Sequence, residues 1–428
     1  MSLMPHQLAA LERLRETKGC QLLSLVPGAG KTLTAITYLK EIGAKNALIL
    51  APASVVSVWS DECEKWSAPK PKQLTGSVLK RKEVLKETDG WLVCGYEMFL
   101  REYKNLTSIK WDAMVLDESH RTKSPTAKVS KAVRAFAQRV PVRLLLTGTP
   151  LKNGWGDLWS QVETIKPGSM FGNWWAFRNA FAVMPIPNIP VIKSWRNIEQ
   201  IQKMLKPHVF TIDKEEIQRN LPPMTMTDIH VELSPAEKKQ YALIRDEMML
   251  DEDTTIVNAL AQLTKLRQCA NGLFTFGGTE SSKADAIAEL LETLQGEKVI
   301  IFTEYATFAT YLGVRFSCPV IQGSVATDKR QEIIDTWKKS GTLLVGTSAL
   351  ATGLNLQDAH YIIQADLCWS KAEEEQRVGR AWRTGQKSPV TVYNLMAEGT
   401  VDWMIRKAIK TKGSMMAQLA ESTLKEII

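Results

Sequence analysis

Three segments of this 428-residue chain combine the residue types that handling a phosphate requires. In Pro27-Gly28-Ala29-Gly30-Lys31-Thr32, two glycines let the backbone turn tightly, so that amide N–H groups can face phosphate oxygens. Lys31 is long enough to reach β- and γ-phosphates, and the Thr32 hydroxyl can enter the shell of a Mg²⁺ ion. The full form of this pattern has glycine at position 25, where this chain has Leu25. Further along, the apolar run Ala113–Leu116 ends abruptly in Asp117, Glu118, Ser119 and His120. Two carboxylates at the tip of a buried strand are costly unless they have a partner. Asp117 is placed to hold Mg²⁺, directly or through water, and Glu118 to orient and deprotonate an attacking water. A third run, Arg143–Leu146, ends in Thr147, Gly148, Thr149 and Pro150, small hydroxyl residues suited to sensing a terminal phosphate. Taken singly, each segment has a plainer reading: a glycine turn, a solvated strand end, a simple loop. The second of these weakens once a phosphate loop stands upstream.

Phosphoryl transfer gains from cations aimed at the developing charge, often arginines from another domain. The segment EEEQRVGRAWRTGQ (373–386) offers them. Gln376, Arg380 and Arg383 recur four and three apart, which on a helix puts them on one face, with Arg377 pointing elsewhere. A solvated basic helix is the alternative, but it would not need Gly379, Gly385 and the Gly-Gln ending. Upstream, Gly353 and Asn355 fall in a loop after the apolar run Thr342–Gly346, a position suited to nucleic-acid contact or to coupling between lobes.

The elements that must position these residues are short apolar runs alternating with amphipathic stretches. Cys20–Val26, Ala47–Ala51, Trp91–Cys94, Ala113–Leu116 and Arg143–Leu146 read as buried strands. The second half repeats the rhythm at Lys298–Phe302, Pro319–Gln322, Thr342–Gly346, Tyr361–Gln364 and Val390–Leu395. Strands separated by helices imply parallel sheets with right-handed crossovers, an α/β fold in two lobes. In such sheets ligands bind at the carboxyl ends of the strands, where the three segments fall. The expected divisions are a first lobe over 1–154, a mostly helical insertion and lobe connection over 155–282, and a second lobe over 283–428. Proline clusters at 185–190 and 220–223 break the helical stretch. Its five tryptophans, Trp155, Trp159, Trp174, Trp175 and Trp195, suit the core of a small subdomain better than a base-stacking surface.

Composition excludes other classes. The chain is 44% hydrophobic and 23% charged, which is globular rather than fibrous or disordered. Its formal charge of +8 fits a polyanionic partner without requiring one. The 69–82 stretch concentrates Lys70, Lys72, Lys80, Arg81 and Lys82, as a nucleic-acid contact or a solvated face. The six cysteines show no C-x-x-C spacing, which argues against a zinc site or disulfide scaffold and for a reducing compartment. Neither a signal peptide nor a membrane span is expected, so the reading is a soluble intracellular protein: cytoplasmic in a bacterial or virus-infected cell, nuclear in a eukaryote.

In order and spacing these pieces resemble helicase superfamily two, and within it the Swi/Snf-type DNA-translocating ATPases, from about Leu3 to Ile409. LMPHQLAAL is similar to the N-terminal glutamine motif, with Gln7 reading the adenine edge. PGAGKT and DESH resemble the Walker A and Walker B motifs, LLLTGTPLKN the third motif, and TSALATGLNLQDA and QRVGRAWRTGQ the fifth and sixth. ADLCWS resembles the family's aspartate-x-x-tryptophan element, and ALILAPASVVSVWSDECEKW its next DNA-side motif. The chain departs at Met4, where the family has arginine, and at Thr211 and Ile212, where a paired arginine is expected.

The resemblance implies two RecA-like lobes with a helical insertion between them and ATP in the cleft. Pro27, Gly28, Ala29, Gly30, Lys31, Thr32, Asp117 and Gly353 would bind nucleotide and Mg²⁺. Glu118, Gln376, Arg380 and Arg383 would act in catalysis beside Lys31. Ser54, Thr147, Thr352, Asn355 and Trp369 are the positions the family pattern assigns to nucleic acid. The implied activity is ATP-dependent translocation on double-stranded DNA, branched or forked DNA included, by a chain sufficient as a monomer. A strand-separating DNA or RNA helicase is the alternative.

Overall fold

The computed structural model describes residues 3–412 except 88, 149–154, 185–191, 193, 213, 220, 251–255 and 351–353. The chain divides into two compact units, Met1–Asn220 and Leu221–Ile428. Each is a parallel sheet covered on both faces.

In the first unit the strands are β1 (Gln21–Ser24), β2 (Ala47–Ala51), β3 (Lys72–Gln73), β4 (Leu92–Gly95), β5 (Ala113–Asp117) and β6 (Val142–Thr147). A small antiparallel ribbon follows, β7 (Ala182–Val183) with β8 (Ser194–Trp195), and then β9 (Val209–Thr211). The sheet runs β3-β4-β2-β5-β6-β1-β9. Its central strands are apolar through their middles because both faces are enclosed, with polar residues confined to their ends. Leu48 and Leu50 of β2 join one core with Phe99, Phe136 and Trp159, while Ala47, Ile49 and Ala51 join the other with Leu11, Leu39 and Trp59. The second core is roofed by helices Pro5–Glu16, Lys31–Glu41 and Val56–Lys65.

The second unit carries β10 (Met224–Val231), β11 (Val299–Phe302), β12 (Val320–Ile321), β13 (Leu343–Gly346), β14 (Tyr361–Gln364) and β15 (Val390–Ala397), in the order β10-β15-β14-β11-β13-β12. Trp337 and Ile334 fill one face and Phe308 and Leu312 the other. A third cluster joins Leu263, Leu266 and Cys269 to Val401, Ile405 and Ala408.

The expected strands are present within a residue or two of their anticipated ends. The 155–282 stretch carries helices such as Gly156–Ile165, Trp174–Phe181, Pro235–Leu250 and Ile256–Asn271, and it also supplies β9 to the first sheet and β10 to the second. Its tryptophans pack into core: Trp159 meets Trp174, and Phe177 meets both Trp174 and Trp195. Trp175 is 54% exposed beneath the Arg178 guanidinium. The proline cluster at 185–190 lies outside the described residues. The six cysteines are free thiols, with Cys63, Cys94, Cys269 and Cys368 buried and Cys20 and Cys318 half-buried. No helix among the described residues is long and apolar enough to cross a membrane.

Candidate functional site

β1 runs into the glycine loop, and the loop runs into helix Lys31–Glu41. Gly28 and Gly30 both have left-handed backbones, with φ of 84° and 75°. A Cβ at Gly30 would also collide with the Gln7 side-chain amide, so the position is closed to larger residues twice over. No side chain caps the helix, which leaves its first N–H groups and its positive dipole end for an anion. The Lys31 ammonium donates to the carbonyls of Leu25 at 2.8 Å and Val26 at 3.2 Å, folded over the loop that it closes.

Gln7 is 1% exposed. Its Oε1 accepts from the Met4 N–H at 2.9 Å, and its Nε2 donates to the Ala29 carbonyl at 3.4 Å. His6 Nε2 lies 2.9 Å from the same carbonyl. The glutamine motif therefore buttresses the phosphate loop from behind, a role its sequence does not announce.

Asp117 ends β5, two strands from β1 with β6 between them. It is buried, and its Oδ2 accepts from Trp59 Nε1 at 2.9 Å, while its carbonyl accepts from the Tyr96 hydroxyl at 2.7 Å. Burial and the neighbouring Glu118 charge push its pKa up to about 6, with the Trp59 bond and the Lys31 ammonium pulling the other way. Glu118 has the left-handed backbone φ 49°, ψ 51°, a strained conformation for a non-glycine residue. His120 Nδ1 lies 3.2 Å from Glu118 Oε2 and 3.3 Å from Thr147 Oγ1, so the end of β6 touches the end of β5 through one imidazole. Thr147 is fully buried, its backbone carbonyl accepting from Leu25 N–H at 3.2 Å. Three strand ends thus converge, and Gly148 packs against Pro27.

The donor set fits a nucleotide-bound Mg²⁺. Among the described residues no group of three or more His, Cys, Asp and Glu side chains is gathered to hold a metal by itself. Asp117 and Thr32 would supply protein oxygens, and phosphate oxygens and water would complete an octahedral shell. A divalent cation would also relieve the like charges of Asp117 and Glu118.

In the second unit, one expectation is corrected. Helix Lys371–Val378 stops at Gly379, so Gln376, Arg380 and Arg383 do not share one continuous helical face. Arg380 and Arg383 lie in the turns that follow, both half-buried. Those turns are knitted to the fifth motif: Leu356 N–H donates to the Arg380 carbonyl at 3.1 Å. Gln357 Nε2 donates to the Thr384 carbonyl, and Gln386 Nε2 donates to the carbonyls of Gln357, Ala359 and Ala381. Arg377 does point elsewhere. It is 2% exposed, ion-paired with Glu304, donates to the Asp366 carbonyl at 3.1 Å and lies 3.8 Å from the Asp366 carboxylate. Asp366 is a hub that also accepts from Thr303, Asn271 and the Glu304 N–H. Sequence reasoning missed this hub, whose partners include Asn271, 95 residues away.

The nucleic-acid candidates are differently placed. Ser54 is half-buried in the short helix Ala53–Val55 after β2. Asn355 Oδ1 accepts from the Gln357 N–H at 3.3 Å, closing its own turn. Trp369 is half-buried under the Arg267 guanidinium at 4.3 Å. Thr352 and Gly353, like Thr149 and Pro150 of the third motif, lie outside the described residues. In the basic 69–82 stretch, Arg81 is buried, bonded to Glu102 at 2.7 Å and to the Gly76 carbonyl. Lys70 and Lys72 pair with Glu64 and Glu87, and Lys80 and Lys82 are exposed.

A glycine loop between a parallel strand and a helix N-terminus, with a carboxylate pair on a nearby strand end and a second parallel α/β unit, defines a P-loop protein of the helicase-like class. Residues 6–274, more than half of the chain, match the SNF2-related domain, and residues 282–385 match the helicase conserved C-terminal domain. The chain belongs to the SNF2-related family of helicase-like ATPases. It is 27% identical over 440 residues to mouse SWI/SNF-related matrix-associated actin-dependent regulator of chromatin subfamily A member 1, covering 90% of this chain and 40% of that protein. It is 28% identical over 443 residues to the ISWI chromatin-remodeling complex ATPase ISW2 of Saccharomyces cerevisiae, covering 91% and 38%. An uncharacterized ATP-dependent helicase of Mycoplasma pneumoniae is 29% identical over 413 residues, covering 91% and 39%. The chain thus spans about two fifths of the length of these relatives. The Sulfolobus solfataricus SWI2/SNF2 ATPase core solved with double-stranded DNA aligns over the whole chain at 23% identity and a TM-score of 0.49.

Proposed function

We propose that this chain is a DNA-dependent ATPase that translocates on double-stranded DNA, branched or forked DNA included, and uses ATP to remodel DNA or protein–DNA complexes. The observation that carries the reading is the convergence of the Lys31 loop, the Asp117–Glu118 pair and the His120–Thr147 contact at neighbouring strand ends of one sheet. The loop amides and Lys31 hold the phosphates. Mg²⁺, held by Thr32 and Asp117, would neutralise charge on the phosphate oxygens. Glu118 orients the attacking water and takes its proton. The second unit supplies Arg380 and Arg383 to the charge that develops on the transferred phosphoryl group, with Gln376 helping to position it. A ligand bound by both units favours whichever arrangement it binds more tightly, and that differential affinity is all that coupling hydrolysis to movement requires. Backbone contacts make such a motor indifferent to sequence and sensitive to salt.

The test is steady-state ATP hydrolysis without nucleic acid and with matched single-stranded, duplex and forked DNA and RNA, with Glu118→Gln as the inactive control. Stimulation by duplex or fork that weakens with salt supports the proposal. Preference for single strands or RNA replaces it with a strand-separating helicase, and no hydrolysis on any of them refutes it.

A further inference from the structure

Helix Gly156–Ile165 is buried along its whole length, polar residues included. Ser160 and Gln161 are fully enclosed and Asp157 nearly so. Polar groups in such a place need partners. Residues 157, 160 and 161 share one face of the helix, being three and four apart. All three reach the same short segment, the turn that follows the acidic pair. Asp157 Oδ2 lies 3.5 Å from Lys123 Nζ, and the Ser160 hydroxyl donates to the Thr122 carbonyl at 2.6 Å. Gln161 Oε1 accepts from the Ser119 hydroxyl at 2.7 Å. Gln161 Nε2 donates to the Asp157 carbonyl at 3.0 Å, which fixes the amide with its oxygen towards Ser119. Arg134 backs the arrangement, donating to Ser160 Oγ at 2.6 Å and to the Pro125 carbonyl at 2.7 Å. The turn is closed on itself by Thr122 Oγ1, which donates to the Ser119 carbonyl at 2.8 Å.

The residue directly before this turn is Glu118, with its left-handed backbone. Such a conformation persists only where the surroundings over-determine it. From these contacts we infer that Gln161 is a positioning residue: its buried bond to Ser119 clamps the 119–123 turn and thereby holds the Glu118 carboxylate where it serves the water. The inference rests on the role proposed for Glu118 above. Gln161 itself touches no substrate. Without its oxygen the Ser119 hydroxyl is left enclosed with its acceptor gone, the turn loses a tie to the helix, and Glu118 is free to relax out of the left-handed region. A carboxylate displaced by about 1 Å loses roughly tenfold to a hundredfold in rate.

The test compares the full chain with Gln161→Leu, Ser119→Ala and the double variant, by ATPase kinetics on duplex DNA and by amide hydrogen exchange. Gln161→Leu is expected to lower kcat by about ten- to a hundredfold with the KM for ATP within about twofold, because nucleotide binding is left intact. Exchange at residues 119–123 should accelerate while β5 stays protected. Ser119→Ala should do the same, and the double variant should be no worse than the worse single one, since both remove the bond that Ser119 and Gln161 share. The inference is overturned by unchanged exchange in the turn, by losses that multiply in the double variant, or by a loss that appears in KM. Should the unaltered chain hydrolyse no ATP, the function proposed above fails, and exchange at 119–123 in Gln161→Leu decides this inference by itself.

Discussion

The two units hold their charged motifs in opposite ways. In the first, side chains grip the functional groups directly: Trp59, from a distant segment, binds the Asp117 carboxylate, the nearby His120 lies against Glu118, and Gln7 and His6 hold Ala29 of the phosphate loop. In the second, the enclosed Arg377 and Arg267 serve the Asp366 hub, while Arg380 and Arg383 follow in turns with backbone ties to the fifth motif. The first unit fixes its chemistry residue by residue. The second holds Arg380 and Arg383, both half-buried, in turns at the edge of a hydrogen-bonded platform.

That contrast can be broken most sharply at the arginines. If Arg380 plays the role proposed for it, Arg380→Ala lowers ATP turnover by about 10³, as loss of a cation aimed at the transition state does, with a smaller effect on unfolding than Arg377→Ala. Arg377→Ala should instead destabilise the protein by about 3 kcal/mol, because it removes a buried guanidinium from the half-buried Glu304 and the buried Asp366. Turnover at saturating DNA and denaturant unfolding of both variants check the pair. Equal effects on both measurements would erase the distinction between platform and edge.

A smaller effect follows from the raised pKa of Asp117, about 6 against its ordinary 3.8. The folded chain holds this proton more tightly than the unfolded chain. The group's contribution to stability therefore falls as pH rises from about 4 to about 6, and above that window the buried charge costs about 3 kcal/mol. Asp117→Asn should remove that slope from the stability–pH curve. If Asp117 holds Mg²⁺ as proposed, binding of Mg²⁺-nucleotide would use the ionised form, so its affinity should strengthen through the same window and level off above it, with proton release measurable by calorimetry in buffers of different ionisation enthalpy.

The smallest expected effect refines the comparison within the first unit. Trp59→Phe removes one bond to a carboxylate, worth about 1.5 kcal/mol or somewhat more. It should raise the pKa of Asp117 further and move the midpoint of that binding curve to higher pH. A midpoint that does not move would mean that the indole holds the loop rather than the charge.

Much of this architecture is legible in the sequence because its signals are local. Apolar runs such as Ala47–Ala51 are enclosed on both faces and carry their whole burial pattern in consecutive residues. The glycine loop and the acidic strand end also announce themselves in a few adjacent letters. Long-range partners do not. Nothing near Trp59 or Tyr96 says that they meet Asp117, and nothing near Asn271 says that it meets Asp366. β10 lies in a stretch whose neighbours are helical, and its alternating burial reflects an edge position fixed by pairing with β15, far along the chain. The shared helical face of Gln376, Arg380 and Arg383 failed for a local reason: spacing alone does not show that the helix ends at Gly379.

The free thiols have a practical consequence. Cys20 sits just before β1 and Cys318 just before β12, one in each unit, at the amino ends of parallel strands, whereas the phosphate loop and the acidic pair follow carboxyl ends. The other four are buried, with Cys63, Cys269 and Cys368 pushed up to about 12 and Cys94 higher still. Burial also lifts Cys318, to about 11, which slows its thiolate chemistry. The unaltered chain thus offers two half-buried thiols, Cys20 and Cys318, one in each unit, for a donor and acceptor dye pair. Single-molecule fluorescence between them would follow the distance between the two units through each round of nucleotide turnover.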